Sequence, residues 1–287
     1  MNADSPDARA RRTARRLLAG AGCASLTAYH SAPNETTYVA HALTDEGYVL
    51  VAVRPATGSA LCEDLAPEDE LQHVRLDVTL DAADASVRVT AATAHLLGHL
   101  HWVPASMRET VLTTARTPTC HCAVTGEDPL LGVAELAAVE GGRLALIETD
   151  RVVVHDVSGV SAHAIEDVVA LSSEPTVSWG SAELLVATEA VRDLGDLSLN
   201  ALCDAVASGN VPGVLCSERP SEGICPGLVG RVLCVDADAR SVTLMQLGRA
   251  RTRTVVLLFP DAPLTPAALG PALEGLSLSA LSLSLLG

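Results

Sequence analysis

The stretch TYVAHALTDEGYVLVAVR (Thr37–Arg54) decides the fold. Two β-prone runs, TYVAHAL and YVLVAVR, flank the turn TDEG (Thr44–Gly47), which is the pattern of an antiparallel hairpin. More strands lie on both sides of it. CASLTAY (Cys23–Tyr29) precedes it. LQHVRLDVTL (Leu71–Leu80) follows, strongly alternating, with Leu71, Val74, Leu76, Val78 and Leu80 as its apolar positions. ASVRVTAATAHLLGHLHWV (Ala85–Val103) reads as one long strand or two, closed by Pro104. RLALIETDRVVVHDV (Arg143–Val157) reads as a tight two-strand unit. Helices interrupt this series only at PASMRETVLTTA (Pro104–Ala115) and LLGVAELAAV (Leu130–Val139), joined by the connector RTPTCHCAVTGEDP (Arg116–Pro129). Six or so short strands with few helices predict a small antiparallel barrel rather than a parallel sheet.

The composition shifts near Ala164. AIEDVVALS, SAELLVATEAVRDLG and LSLNALCDAVAS read as helices, and GNVPGVLCSERPSEGICPG (Gly209–Gly227) as a loop. RVLCVDADARSVTLMQL and TRTVVLLF read as antiparallel strands around the turn DADAR (Asp236–Arg240). That turn resembles half of a calcium loop but lacks the glycine and terminal glutamate of an EF-hand. A last helix, TPAALGPALEGL, leads into the low-complexity tail SLSALSLSLLG, whose end is expected to fray. The expected domains are 1–163, a barrel with an N-terminal helix, and 164–287, a smaller helical α+β domain. The fold class is α+β.

Composition narrows the chemistry. All 19 basic residues are Arg, against 35 Asp and Glu, for a net charge of −16. Without lysine there is no Schiff-base chemistry and no Walker-type phosphate clamp. The negative charge argues against nucleic acid, whose affinity rests on cationic contacts to phosphate. Phe, Trp and Tyr together number six, so a flat ligand finds few rings to stack on. The eight cysteines are irregularly spaced in a long chain, so most are expected as small buried hydrophobes rather than a disulfide framework. Five arginines between Arg9 and Arg16 form a basic first helix, and the Gly/Ala-rich run after Leu18 lacks the apolar core of a signal peptide. The expectation is therefore a cytoplasmic protein without membrane insertion. No G-x-S-x-G, H-E-x-x-H, Walker A or G-x-G-x-x-G motif occurs.

HLLGHLHWV (His95–Val103) holds three of the nine histidines. On a strand, His95, Leu97, His99 and His101 share one face, and Ala94, Leu96, Gly98, Leu100 and Trp102 the other. His95 and His99 then lie about 13 Å apart, too far to share an ion, whereas His99 and His101 lie about 6.6 Å apart. A metal site would draw on His99 and His101, with Cys120 and Cys122 of the motif CHC as further ligands. The alternative is a partly solvated polar strand face. His41 is a further candidate ligand or, alternatively, a hydrogen-bonded histidine at a subunit boundary. His155 and His163 flank a strand end, with His163 expected at an interdomain contact.

The segments ARRLLAGAGCASLTAY, VAHALTDEGYVLVAV, HLLGHLHWVP and SVTLMQLGRARTRTVVLLFPDAPLTPAALGPALEGL together resemble the HugZ-type haem-utilisation family. Its members are pyridoxamine-phosphate-oxidase-like, FMN-binding-like split barrels with a C-terminal domain. The resemblance implies a homodimeric six-stranded split barrel. Flavin-binding relatives hold the flavin phosphate with a basic segment after the third strand. Here that segment is RPATGSALCEDLAPEDE, with Arg54 its only cation, so FMN is disfavoured unless Arg75, Arg88 or Arg151 replaces the clamp. Haem-binding relatives take their iron ligand from the C-terminal part. This chain has no histidine after His163, so an axial ligand falls to His99, His101, His121 or Cys120, with His41 as a further cofactor candidate. The leading expectation is a haem- or tetrapyrrole-associated protein of iron metabolism that binds without degrading. The alternatives are a flavin-dependent oxidoreductase and a non-catalytic dimeric interaction module.

Overall fold

The computed structural model describes residues 5–29, 36–44, 46–59, 61, 72–84, 87–115, 128–173, 179, 181–259 and 264–284. They form two compact units, one of the described residues within 5–80 and 92–173, the other of those within 81–91 and 179–284.

The first unit opens with α1 (Pro6–Leu18), capped by the Ser5 side chain, which accepts from the Ala8 amide at 3.1 Å. Its strands are β1 (Cys23–Ala28), β2 (Thr36–Leu43), β3 (Val49–Val53), β4 (Gln72–Asp81), β5 (Thr90–Trp102), β6 (Arg143–Glu148), β7 (Arg151–Asp156) and β8 (Gly159–Ala164). Its other α-helices are α2 (Arg108–Thr114), α3 (Pro129–Ala138) and α4 (Ile165–Val169). The strand order β4-β1-β2-β3-β6-β5 closes on itself through a β4–β5 pairing, giving a six-stranded antiparallel barrel, as expected. The hairpin predicted around TDEG is β2–β3, with His41 opposite Val51.

Strand alternation sorts the side chains. Leu26, Val49, Val51, Leu76, Ile147 and Val154 fill the interior with Leu17 and Leu18 of α1, and all eight are fully buried. On the outside, α3 covers Ala42, Leu50, Ala52 and Leu144 with Val133 and Ala137. The arginines of α1 tie it into this unit. Arg15 reaches the carbonyls of Val168 and Val169 and Arg9 donates to the Ser158 hydroxyl, while Arg11 pairs with Asp7 within the helix at 3.1 Å.

The two-strand unit expected over 143–157 is different in kind. β6 and β7 do not pair with each other; they follow one another along the same edge of β5. His99 opposes Glu148 and Leu96 opposes Val152, so one extra residue is accommodated at Thr149–Asp150. The Thr149 hydroxyl donates to the Leu97 carbonyl at 2.7 Å across this irregularity. The actual hairpin is β7–β8, and β8 occupies a stretch in which no strand was expected.

The second unit contains α5 (Ser181–Asp193), α6 (Gly195–Ala207), β9 (Gly213–Pro220), β10 (Val232–Ala237), β11 (Ser241–Leu247), β12 (Arg251–Leu258) and α7 (Pro266–Ser284). The sheet order is β10-β11-β12-β9, and Val232, Cys234, Val242, Leu244, Val255 and Leu257 bury against Val191, Leu199, Leu202, Leu269 and Leu273 of the helices. DADAR is a hairpin turn, with Asp238 Oδ1 accepting from the Arg240 amide at 2.8 Å and the Ser241 hydroxyl at 3.0 Å. One expectation fails here: Gly213–Pro220, placed in a loop, is the edge strand β9. α7 runs through the low-complexity stretch to Ser284, and the end of the tail lies outside the described residues. Among the described residues no helix is long and apolar enough to cross a membrane.

Candidate functional site

The candidate site is the outer face of β4, β5 and β7. In β4, Val74, Leu76 and Val78 point into the barrel, so His73, Arg75 and Asp77 point out. In β5, Ala92, Ala94, Leu96 and Leu100 point in, so His95, Leu97, His99 and His101 point out, as the alternation predicted. In β7, Val152 and Val154 point in and His155 points out. Five histidines thus share one surface.

Their contacts run across strands. The rings of His73 and His99 have centres 4.7 Å apart and planes tilted by 58°. His95 meets His155 in a T-shaped contact, 5.1 Å between centres. Asp77 lies between two cations or potential cations: its Oδ1 takes His95 Nδ1 at 2.5 Å and its Oδ2 takes Arg75 Nε at 2.7 Å. The His95 Nε2 also lies 3.4 Å from the Thr93 hydroxyl. His101 Nε2 lies 3.2 Å from Glu148 Oε2 on β6. His73 and His99 stand apart in having no hydrogen bond from either ring to a described residue. Leu97, between His95 and His99 in the chain, is 61% exposed.

His99 and His101 do share a face, but each meets a different neighbour, His73 and Glu148 respectively. Cys120, His121 and Cys122 lie outside the described residues. Among the described residues no three His, Cys, Asp or Glu side chains are grouped to hold a metal. His73 was not singled out by sequence reasoning. Its signal was the alternation of LQHVRLDVTL, which sets it with Arg75 and Asp77, but its proximity to His99 needs the β4–β5 pairing.

His41 belongs elsewhere. It is buried on β2, and its Nε2 donates to the Leu17 carbonyl at 2.6 Å. Burial holds its pKa below the ordinary 6.5, with the Leu17 bond opposing. Its contact is thus with α1 of the same chain. His163 is buried on β8 at 2.9 Å from the Ser161 hydroxyl and 3.8 Å from Asp7 of α1. Those partners all lie in the barrel unit, where an interdomain contact was expected. Burial lowers the His163 pKa too, against the attraction of Asp7.

Of the arginines that could replace a flavin-phosphate clamp, Arg75 is paired with Asp77 and Arg88 with Asp81 at 2.9 Å. Arg54 and Arg151 are exposed. The acidic segment Glu63–Glu70 lies outside the described residues. Arg143 stacks 3.7 Å above the Trp102 ring and donates to the Leu61 carbonyl at 3.0 Å.

No protein-family model and no curated protein matches this sequence. Among solved structures, the chain is similar to a heme binding protein from Mycobacterium smegmatis, at 14% identity over 95% of this chain and 98% of that one, with a TM-score of 0.44. It is similar to a protein of unknown function from Agrobacterium tumefaciens, at 14% identity over 96% and 97% of the two chains, TM-score 0.33. It is also similar to an FAD and heme binding protein from Mycobacterium smegmatis, at 14% identity over 60% and 84%, TM-score 0.29.

Proposed function

We propose that this chain is a haem- or tetrapyrrole-associated protein of iron metabolism, cytoplasmic and homodimeric, that binds its ligand without degrading it. The observation that carries the reading is the outer face on which His73, His95, His99, His101 and His155 gather. An iron porphyrin needs a single axial imidazole. The donor set fits that need: His99 has no competing hydrogen bond among the described residues, and exposed Leu97 beside it offers apolar contact to a macrocycle. Bound haem would supply iron and its redox chemistry; the chain supplies a nitrogen ligand and an apolar neighbour. The binding-only reading rests on the absence of any histidine after His163, where haem-degrading relatives of the resembled family take their iron ligand.

FMN remains disfavoured. Arg75 and Arg88 both face aspartates, which compete with a phosphate for the guanidinium.

The test is an absorption spectrum of protein purified from its native host, followed by haem titration of the apoprotein. The expected result is a Soret band that saturates at one haem per chain and is lost in His99→Ala but kept in His101→Ala. No Soret band in the wild type, or an unchanged one in all five single His→Ala variants of this face, overturns the reading.

A further inference from the structure

We infer that His73 and His99 together form a binding site for one divalent transition-metal ion of the zinc class, on the outside of the barrel. This inference does not rest on the haem reading, which asks for one imidazole where this site needs two.

The geometry comes first. An imidazole nitrogen bonds zinc at about 2.0–2.1 Å, which sets the ring centre about 3.2 Å from the ion. Two rings sharing an ion at 90–109° then have centres about 4.5–5.2 Å apart. The His73 and His99 centres are 4.7 Å apart. Both residues sit on paired strands of a closed barrel, so little movement is needed to bring them together.

Availability comes second. Neither ring is hydrogen-bonded to a described residue, so a nitrogen of each is open to an ion. The other pair on this face differs. His95 and His155 meet edge to face at 86°, and both nitrogens of His95 already have neighbours, Asp77 at Nδ1 and the Thr93 hydroxyl at Nε2. His101 is turned to Glu148. The spacing argument from sequence, which set His99 with His101 along one strand, therefore gives way to a pair across two strands.

Chemistry comes third. Neutral imidazole suits zinc, copper and nickel, and no third His, Cys, Asp or Glu among the described residues stands ready to complete the shell. The remaining positions fall to water, so the site is open rather than structural.

The test uses tag-free, haem-free full-length protein and zinc chloride as the probe, followed by calorimetry at neutral pH. One ion per chain is expected. His73→Ala and His99→Ala should each weaken binding by more than about tenfold, and His95→Ala and His101→Ala should leave it unchanged. Zinc should raise the melting temperature of the wild type but not of the two pair variants, whose metal-free melts show that they fold. Wild-type affinity in either pair variant, or equal loss in His95→Ala, overturns the site. A haem titration that fails leaves this outcome untouched, because zinc alone is measured.

Discussion

His41 Nε2 donates to the Leu17 carbonyl at 2.6 Å, joining the buried centre of β2 to the last turn of α1. A carbonyl only accepts, so the bonded nitrogen carries the proton and the ring is held in one tautomer. Burial disfavours the charged form, and the pKa of His41 is lowered from 6.5.

The first prediction follows from that sign. In the unfolded chain this ring takes a proton near pH 6.5, and in the fold only at lower pH. The unfolded state therefore binds more protons below that point. The stability held by neutral His41 is complete above pH 6.5 and is lost as pH falls from there toward the folded pKa. His163, lowered by burial, adds in the same direction. Urea unfolding at neutral pH and at about pH 5.5 should show this loss in the wild type and a shallower dependence in His41→Gln. The same variant should be less stable at neutral pH by about 1–3 kcal/mol, because the Leu17 bond is altered in a buried setting. An equal pH slope in both proteins contradicts the assignment.

The second prediction concerns two glycines. A Cβ on Gly98 would lie 2.4 Å from the Glu148 carbonyl oxygen and 2.7 Å from Ile147 Cγ2, where β5 passes the β6–β7 irregularity. The obstructing oxygen is backbone and cannot swing away, so Gly98→Ala should cost more than about 2 kcal/mol. A Cβ on Gly132, inside α3, meets nothing within 4 Å. Gly132→Ala should therefore raise stability by about 0.5–1 kcal/mol through helix propensity. Denaturant melts of the two variants should move in opposite directions; a shift of the same sign in both refutes the close approach.

The third prediction concerns thiols. Burial pushes Cys203 and Cys234 up to about 12, whereas Cys23 and Cys225 are exposed. The thiolate is the reactive form. Peptide mapping after brief treatment with an aromatic disulfide at mildly basic pH should find Cys23 and Cys225 labelled. Cys203 and Cys234 should be labelled only after denaturant is added. Rapid native labelling of Cys234 contradicts the packing of β10 against its helices.

Local patterns revealed a good deal. TDEG between two apolar runs identified the β2–β3 hairpin, and DADAR the turn between β10 and β11. Both are decided within a few residues, by turn chemistry and alternation. β9 escaped for the opposite reason. Its sequence is broken by glycine and proline, with Pro220 at its end, and it is a strand because β12 offers an unpaired edge from Arg251 to Leu257. β6 and β7 were misread because two apolar runs separated by a short turn look like a hairpin, whereas here a second edge, that of β5, takes both.

The histidine face divides in the same way. The sequence by itself determined that His95, His99 and His101 share the outer side of one strand, since a period of two is a property of the strand alone. The same period sets His73 and Asp77 on one face of β4, whereas the pairing of His41 with Val51 comes from the hairpin register in the structure. Only the tertiary structure decided that His99 meets His73, that Asp77 holds His95, and that His41 is bonded to the last turn of α1. Those partners are fixed by barrel closure, which pairs β4 with β5 and seats α1 against the interior. Alternation says which way a side chain points, while the register between strands distant in sequence is set by packing of the whole core.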